Sequence, residues 1–363
     1  MKIGLLGHGT IGVGVDHIVK EQPEMEVTKI LSLVVDEEMK GRTAENIDDI
    51  VNDETIDTVV EVMGGVHPAY EFLTLAMNHG KNAVTANKAV VAAYYKELAK
   101  TAEENHVSFR STAAVGGSIP WLFNLERFKR ADHVRSVFGI MNGTTNYILN
   151  EMTTKGVSFD HALQEATRLG YAEKDPSADI DGPDVRRKLL ISSNVAYDIV
   201  LHEEDIPTYG IRYVSEEDIR FASSIRAVLK LTAFSRPVGT GEAEAYVMPA
   251  FIPTDRTEAH IASNYNIISY EGAFSGRQTY MGEGAGRYPT AYNVVEDLYD
   301  VLFFRAPFYQ KVFNEGKVRN DSLVSRFYVR SGETVTITDP IPFPEAEKLV
   351  LPGTFIARLP EES

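Results

Sequence analysis

Apolar positions along the first 130 residues alternate between short unbroken runs and stretches at helical spacing. "KIGLLG" is a run of strand length, and "TIGVGVDHIVKEQ" behind it spaces its apolar residues three and four apart. "VTKILSLVVD" and "IDTVVEVMGG" are two more strand-like runs, separated by an acidic connection. "PAYEFLTLAMNHGK" has the period of an amphipathic helix, "NAVTAN" reads as a strand, "KAVVAAYYKELAKTAEENH" as a helix and "VSFRSTAAV" as a strand. Apolar strand cores between helical periods predict βα units and a Rossmann-type, doubly wound parallel sheet. Past about residue 130 the texture changes. Helices are expected over 158–169 and 184–200, followed by alternating segments such as "EAYVMPAFIP" and "YNIISYEGAF". That pattern predicts a second, α+β domain.

Composition narrows the function classes. A chain of 363 residues has room for roughly two domains at ~150 residues each. A net charge of −16, with no lysine-arginine run, argues against nucleic acid as a partner. The absence of cysteine removes disulfides, thiolate metal sites and cysteine nucleophiles. No run approaches the ~18 apolar residues of a membrane span, and the N-terminus lacks a signal-like stretch, so a cytoplasmic location is expected.

The first candidate site is "GHGTIG", a G-x-G-x-x-G pattern between a strand and a helix. In that setting Gly7 permits the tight turn, Gly9 lets backbone approach a pyrophosphate, and Gly12 allows close helix–strand packing. The helix start, Thr10 and Ile11, supplies N–H groups for phosphate. Asp36, at the end of the second strand run, is placed to bind an adenosine ribose. Lys88 in "VTANKAVVA" and the donors of "MNGTTNYIL" (Asn142, Gly143, Thr144, Thr145) stand at strand-to-helix junctions. Each is either an ordinary surface or capping residue or part of a site for an anionic substrate group. "GEGAGRYPTA" is a second glycine-rich turn before a helix, which suggests that the chain returns to the cofactor.

"GYAEKDPSADIDGPDVRRKL" (170–189) packs five carboxylates and four cations into twenty positions. Pro176, Gly182 and Pro183 break its first part, and a helix can start at Pro183 with Asp181 as cap. Asp184 and Lys188 then face one side, four residues apart. Read as residues alone, this is a solvated loop or a site that handles protons and ammonium groups.

Taken together, "GLLGHGTIG", "EVMGG", "TANKAVVA", "AAVGGSIP", "NGTTNYIL", the 170–189 block and "GEGAGRYPTA" resemble homoserine dehydrogenase over about residues 1–310. The resemblance implies reversible NAD(P)-linked interconversion of L-homoserine and L-aspartate 4-semialdehyde, on the route to threonine and methionine. It implies Lys188 as general acid, Asp184 as its partner, and Lys88 beside the nicotinamide and substrate. Glu173, Asp179, Gly143 and Thr144 match substrate-binding positions, and Gly64 and Gly286 cofactor-contacting ones. A sodium ion is implied on the backbone carbonyls of Thr112, Val115, Gly117 and Ile119. A homodimer through the second domain is implied as well.

On this basis the expected domains are 1–130, with a return of about 285–310, for NAD(P) binding; 131–284 for substrate, catalysis and dimerisation; and 311–363 as an extension. Thr112 stands where the family usually has glutamate, and Val35 where NADP-using members often have arginine. NAD is therefore expected over NADP. The tail resembles only the opening of the regulatory ACT domain, so insensitivity to threonine is expected. The rival readings are another Rossmann dehydrogenase of a small amino acid or aldehyde, and a non-catalytic dinucleotide sensor.

Overall fold

The computed structural model describes residues 1–34, 37–303 and 313–361. It divides into two compact units, Met1–Arg130 with Glu283–Asn314, and Ala131–Gly282 with Glu315–Ser363.

Among the described residues, the first unit holds a five-stranded sheet. Across it run Glu26–Leu31, Lys2–Leu6, Thr58–Glu61, Asn82–Thr85 and Phe109–Arg110, every neighbouring pair parallel. Both faces are apolar, as a doubly wound sheet requires. Ile3 and Leu5 turn to one face with Val15 and Val19 of helix Thr10–Lys20 and Val294 and Leu298 of helix Arg287–Leu302. Leu6, one position on, joins Ile50, Val59 and Ala76 in a separate cluster. The late helix packs closely on the first one: a Cβ on Gly14 would lie 3.0 Å from the Ala291 methyl. Strand order reverses between Lys2–Leu6 and Thr58–Glu61, the kind of switch point where open α/β sheets bind ligands.

Two strand expectations shorten. "VSFRSTAAV" is a strand only at Phe109–Arg110, and Thr112–Ala114 is a 3-10 turn. The cause is Asp297, whose carboxylate accepts the Thr112 N–H at 2.8 Å and its hydroxyl at 2.6 Å, diverting the backbone donor from a strand ladder. The second strand ends at Leu31, where the carbonyl accepts the Gly7 N–H at 2.8 Å. Val35 and Asp36 lie outside the described residues.

The second unit is built on a mixed sheet of nine strands among the described residues. Its main path runs Gly276–Glu283, Tyr265–Gly272, Val134–Ile140, Ala227–Gly239, Glu242–Pro253, Phe355–Arg358, Phe327–Ser331 and Thr334–Ile337, and Lys317–Val318 pairs beside Glu242–Pro253. Helices Gly143–Lys155, Phe159–Arg168 and Pro183–Tyr197 belong to the same unit. Residues from Glu315 onward, expected as an extension, instead build part of the second unit's core. Leu323, Phe327, Phe343 and Ile356 cluster with Tyr246 and Met248. "FYVRS" and "FIAR" each open on three consecutive apolar residues and are buried on both faces, as strands inside a covered sheet are. The proline-rich segment holds a short helix, Phe343–Glu347, with its proline in the first turn, where a missing N–H costs little.

Candidate functional site

In the first unit the three glycines are constrained by different neighbours. Gly7 has φ +96°, and a Cβ there would lie 3.0 Å from the Val62 carbonyl. A Cβ on Gly12 would lie 2.1 Å from the Gly7 oxygen, inside any allowed contact. Among the described residues Gly9 has nothing within 4 Å of an added Cβ, which leaves that approach open to a ligand. Gly9 also starts helix Thr10–Lys20 with no side-chain cap and no acid in the first turn. The N–H groups of Thr10, Ile11 and Gly12 thus open the helix at its positive end with no acid of its own first turn to engage them.

The next turn is held by a residue that pattern reading missed. Glu61 is fully buried at the end of strand Thr58–Glu61. Its carboxylate accepts the Thr85 hydroxyl at 2.6 Å, the Met63 N–H at 2.8 Å and the Asn87 amide at 3.3 Å. Burial pushes the Glu61 carboxyl above its usual range, against the pull of these donors. Asn87 also donates to the Gly65 carbonyl at 2.6 Å and accepts the Val90 N–H, capping helix Lys88–Glu104. Glu61 therefore ties the Gly64–Gly65 turn (φ +80° and +75°) to the helix start that carries Lys88, which is half-buried. The signal in sequence was a lone acid inside the apolar run "VVEVM".

Gly286 (φ +127°) opens helix Arg287–Leu302. The loop with Gly117 and Ile119 lies against the preceding turn: Ser118 N–H donates to the Glu283 carbonyl at 3.2 Å.

In the second unit the 170–189 block becomes a buried polar cluster. Helix Pro183–Tyr197 starts after Gly182 (φ +95°), not on an Asp181 cap. Asp181 instead accepts Arg212 at 2.7 and 2.6 Å, because a left-handed N-cap position suits glycine. The i,i+4 geometry holds: Lys188 Nζ is 2.8 Å from Asp184 Oδ2, and both side chains are buried. Lys188 also donates to the Met141 carbonyl at 2.7 Å, and the buried Asn266 amide donates there at 2.9 Å. Asn142 is the hinge of the cluster. Its Oδ1 accepts the Thr145 N–H at 2.8 Å, capping helix Gly143–Lys155. Its Nδ2 bridges two carboxylates, Asp179 at 2.7 Å and Asp184 at 2.9 Å. Burial raises the Asp179 carboxyl, as does the charge of Asp184, while Asn142 and Lys188 act the other way.

The structure brings Asp179, Asp184 and Lys188 together around Asn142, whose helix begins with Gly143 and Thr144. Glu173 is exposed on the loop. The expected hydroxyl donors turn inward: Thr144 Oγ1 donates to the Tyr171 carbonyl at 2.7 Å, and Thr145 Oγ1 meets Asn142 Oδ1 at 3.0 Å. A Cβ on Gly143 would lie 2.6 Å from the Asn264 carbonyl, so the position excludes a side chain. Met141 and Asn266 are the participants that sequence reading did not single out, and the bridging of two carboxylates by Asn142 was not foreseen.

A family model described as the homoserine dehydrogenase NAD binding domain matches residues 7–111, and one described as homoserine dehydrogenase matches 120–299. The homoserine dehydrogenase of Synechocystis sp. is 37% identical over 317 residues, covering 83% of this chain and 73% of that protein. That of Corynebacterium glutamicum is 36% identical over 313 residues, covering 82% and 70%. The crystal structure of the Thiobacillus denitrificans homoserine dehydrogenase superposes with a TM-score of 0.89 at 30% identity, over 99% of this chain and 98% of that one. Among the described residues no helix is long and apolar enough to cross a membrane. With both halves of the chain matched and the fold shared throughout, the chain belongs to the homoserine dehydrogenase family, NAD(P)-dependent oxidoreductases that interconvert L-homoserine and L-aspartate 4-semialdehyde.

Proposed function

We propose that Lys188 is the general acid–base of this reaction, and the observation that carries the proposal is its burial on Asp184 and the Met141 carbonyl. When bound, the nicotinamide ring supplies or accepts the hydride at the carbon. The oxygen on that carbon gains negative charge during reduction, and a neighbouring ammonium stabilises it and then delivers a proton. Lys188 becomes neutral in that step and regains its proton from solvent; in the oxidative direction it takes the hydroxyl proton. Asp184 favours the ammonium form and fixes its direction. Asn142 keeps Asp184 and Asp179 from repelling one another apart. Lys88 lies beside the nicotinamide and substrate in this reading.

The substrate is an amino acid, so its two charged groups need partners. Glu173 and Asp179 bind the ammonium, and the N–H groups at Gly143 and Thr144 bind the carboxylate. Glu173→Gln is then expected to raise the homoserine KM more than it lowers kcat, since the contact exists before the transition state. An unchanged KM in steady-state kinetics would remove Glu173 from the substrate site.

The cofactor site favours NAD. Val35 offers no guanidinium for a 2′-phosphate, and Asp36 repels one while accepting hydrogen bonds from a ribose hydroxyl. Lys40 and Arg42 are the two cations close enough in sequence to blur this choice, and of these Arg42 has its guanidinium on both oxygens of Asp16 at 2.6 and 2.9 Å. A higher kcat/KM with NAD than with NADP is expected; the opposite order would sink the assignment of Asp36. The protein acts in the cytoplasm as a homodimer assembled through the second unit, whose edge strand Gly276–Glu283 carries Met281, exposed by 62%, and follows Phe274, exposed by 82%.

A further inference from the structure

A bound alkali cation needs several oxygens whose lone pairs converge on one point. The family resemblance assigns that task to the carbonyls of Thr112, Val115, Gly117 and Ile119. In this chain two of the four already converge on something else. The side-chain amide nitrogen of Asn293 donates to the Gly117 carbonyl and, at 3.2 Å, to that of Ile119. The Ile119 oxygen further accepts the Trp121 N–H at 2.7 Å, and the Thr112 oxygen faces the Val115 N–H at 3.5 Å. Asn293 is 2% exposed, on helix Arg287–Leu302, so its amide has no room in solvent to vacate the point. The reverse amide orientation would press Oδ1 against two carbonyl oxygens, so the network itself sets which atom is nitrogen. These residues do not fit a cation.

We propose that Asn293 replaces the cation: its two amide protons satisfy Gly117 and Ile119, and the protein needs no sodium to order this loop. The arrangement makes Asn293 a positioning residue. It stands on the helix that Gly286 opens, two turns further along, and pins Gly117 and Ile119 to that helix. The same loop meets the turn before Gly286, since Ser118 donates to the Glu283 carbonyl and a Cβ on Gly117 would lie 2.6 Å from that oxygen. Amide, loop and turn thus form one closed triangle within the first unit. An internal donor is always present, whereas an ion occupies its site only at sufficient concentration. Independence from sodium follows from the amide alone; the effect on cofactor rests on the proposed contact at Gly286.

The test compares sodium chloride with choline chloride at equal ionic strength, up to about 0.2 M, so that screening is held constant. For the wild type, melting temperature, cofactor KM and kcat are expected to be the same in both salts. A saturable rise in melting temperature or cofactor affinity with sodium would overturn the proposal. Asn293→Ala leaves two buried carbonyls without their donor. It is expected to lower the melting temperature by about 2–6 °C and raise the cofactor KM about 3–10-fold, with kcat within about two-fold. Sodium should recover part of both losses in that variant. If Asn293→Ala does not fold, Asn293→Asp puts an oxygen where the donor was, and its melting temperature should then rise with sodium. A lower melting temperature with unchanged cofactor KM would overturn the positioning role, provided Gly286→Ala does raise that KM. Gly286→Ala locates the fault: if it too leaves the cofactor KM unchanged, the contact at Gly286 is wrong rather than the role of Asn293.

Discussion

Lys188→Ala is expected to lower kcat by about 10²–10⁴-fold while NADH binding stays nearly unchanged. That range corresponds to about 3–5 kcal/mol of transition-state stabilisation, the usual worth of a positioned acid together with a charge beside a developing oxyanion. The proposed cofactor loop belongs to the first unit and Lys188 to the second, which is why NADH binding is expected to survive the substitution. Truncation also strands Asp184, a buried carboxylate that then keeps only its bond from Asn142 among those described for it above. Part of the loss can therefore be structural, and Lys188→Met, which fills the volume, serves as the control. Melting curves separate the two causes. A variant that folds, binds NADH and keeps most of its turnover would move the proton to Lys88 or to water.

The second large effect is expected from Gly12→Ala, and its contrast with Gly9→Ala is what makes it diagnostic. The added methyl at Gly12 would lie 2.1 Å from the Gly7 oxygen, and a backbone atom cannot rotate out of the way. The turn and the helix must separate, at a cost of about 1–3 kcal/mol for overpacking. Their separation spoils the line of N–H groups on which a pyrophosphate would rest. A cofactor KM raised at least about ten-fold, together with a lower melting temperature, is expected. At Gly9 the methyl meets no atom of the described residues within 4 Å. Gly9→Ala should leave the melting temperature alone and weaken only the cofactor. Calorimetry and NADH fluorescence titration of the two variants check this; equal effects on stability would contradict the assigned difference between the glycines.

How much of this was legible in sequence depended on how local the cause was. Runs such as "KIGLLG" and the helical period behind it are set by burial within a few residues, and they predicted the parallel sheet. The Asp184–Lys188 pair was legible because helix geometry alone brings residues four apart together. What stayed hidden was decided by partners far along the chain. Asp181 looked like a cap until Arg212, 31 positions away, took its carboxylate. "VSFRSTAAV" looked like a strand until Asp297, 185 positions from Thr112, claimed its backbone donor. The bridging role of Asn142 needed Asp179 and Asp184, and the role of Asn293 needed a loop about 175 residues earlier in the chain. The tail misled for a related reason. It looked like an extension, yet its short strands needed only a sheet edge supplied by Glu242–Pro253.

The most direct test of the whole account is the initial rate of NADH formation, followed by its near-ultraviolet absorbance, when purified wild-type protein meets L-homoserine and NAD. The account predicts saturable formation with homoserine, reversal when L-aspartate 4-semialdehyde and NADH are supplied, and no comparable rate with L-serine, whose hydroxyl sits one carbon closer to the ammonium. Absorbance indistinguishable from a homoserine-free blank, with NADH still bound, would contradict it and leave a dinucleotide sensor in its place.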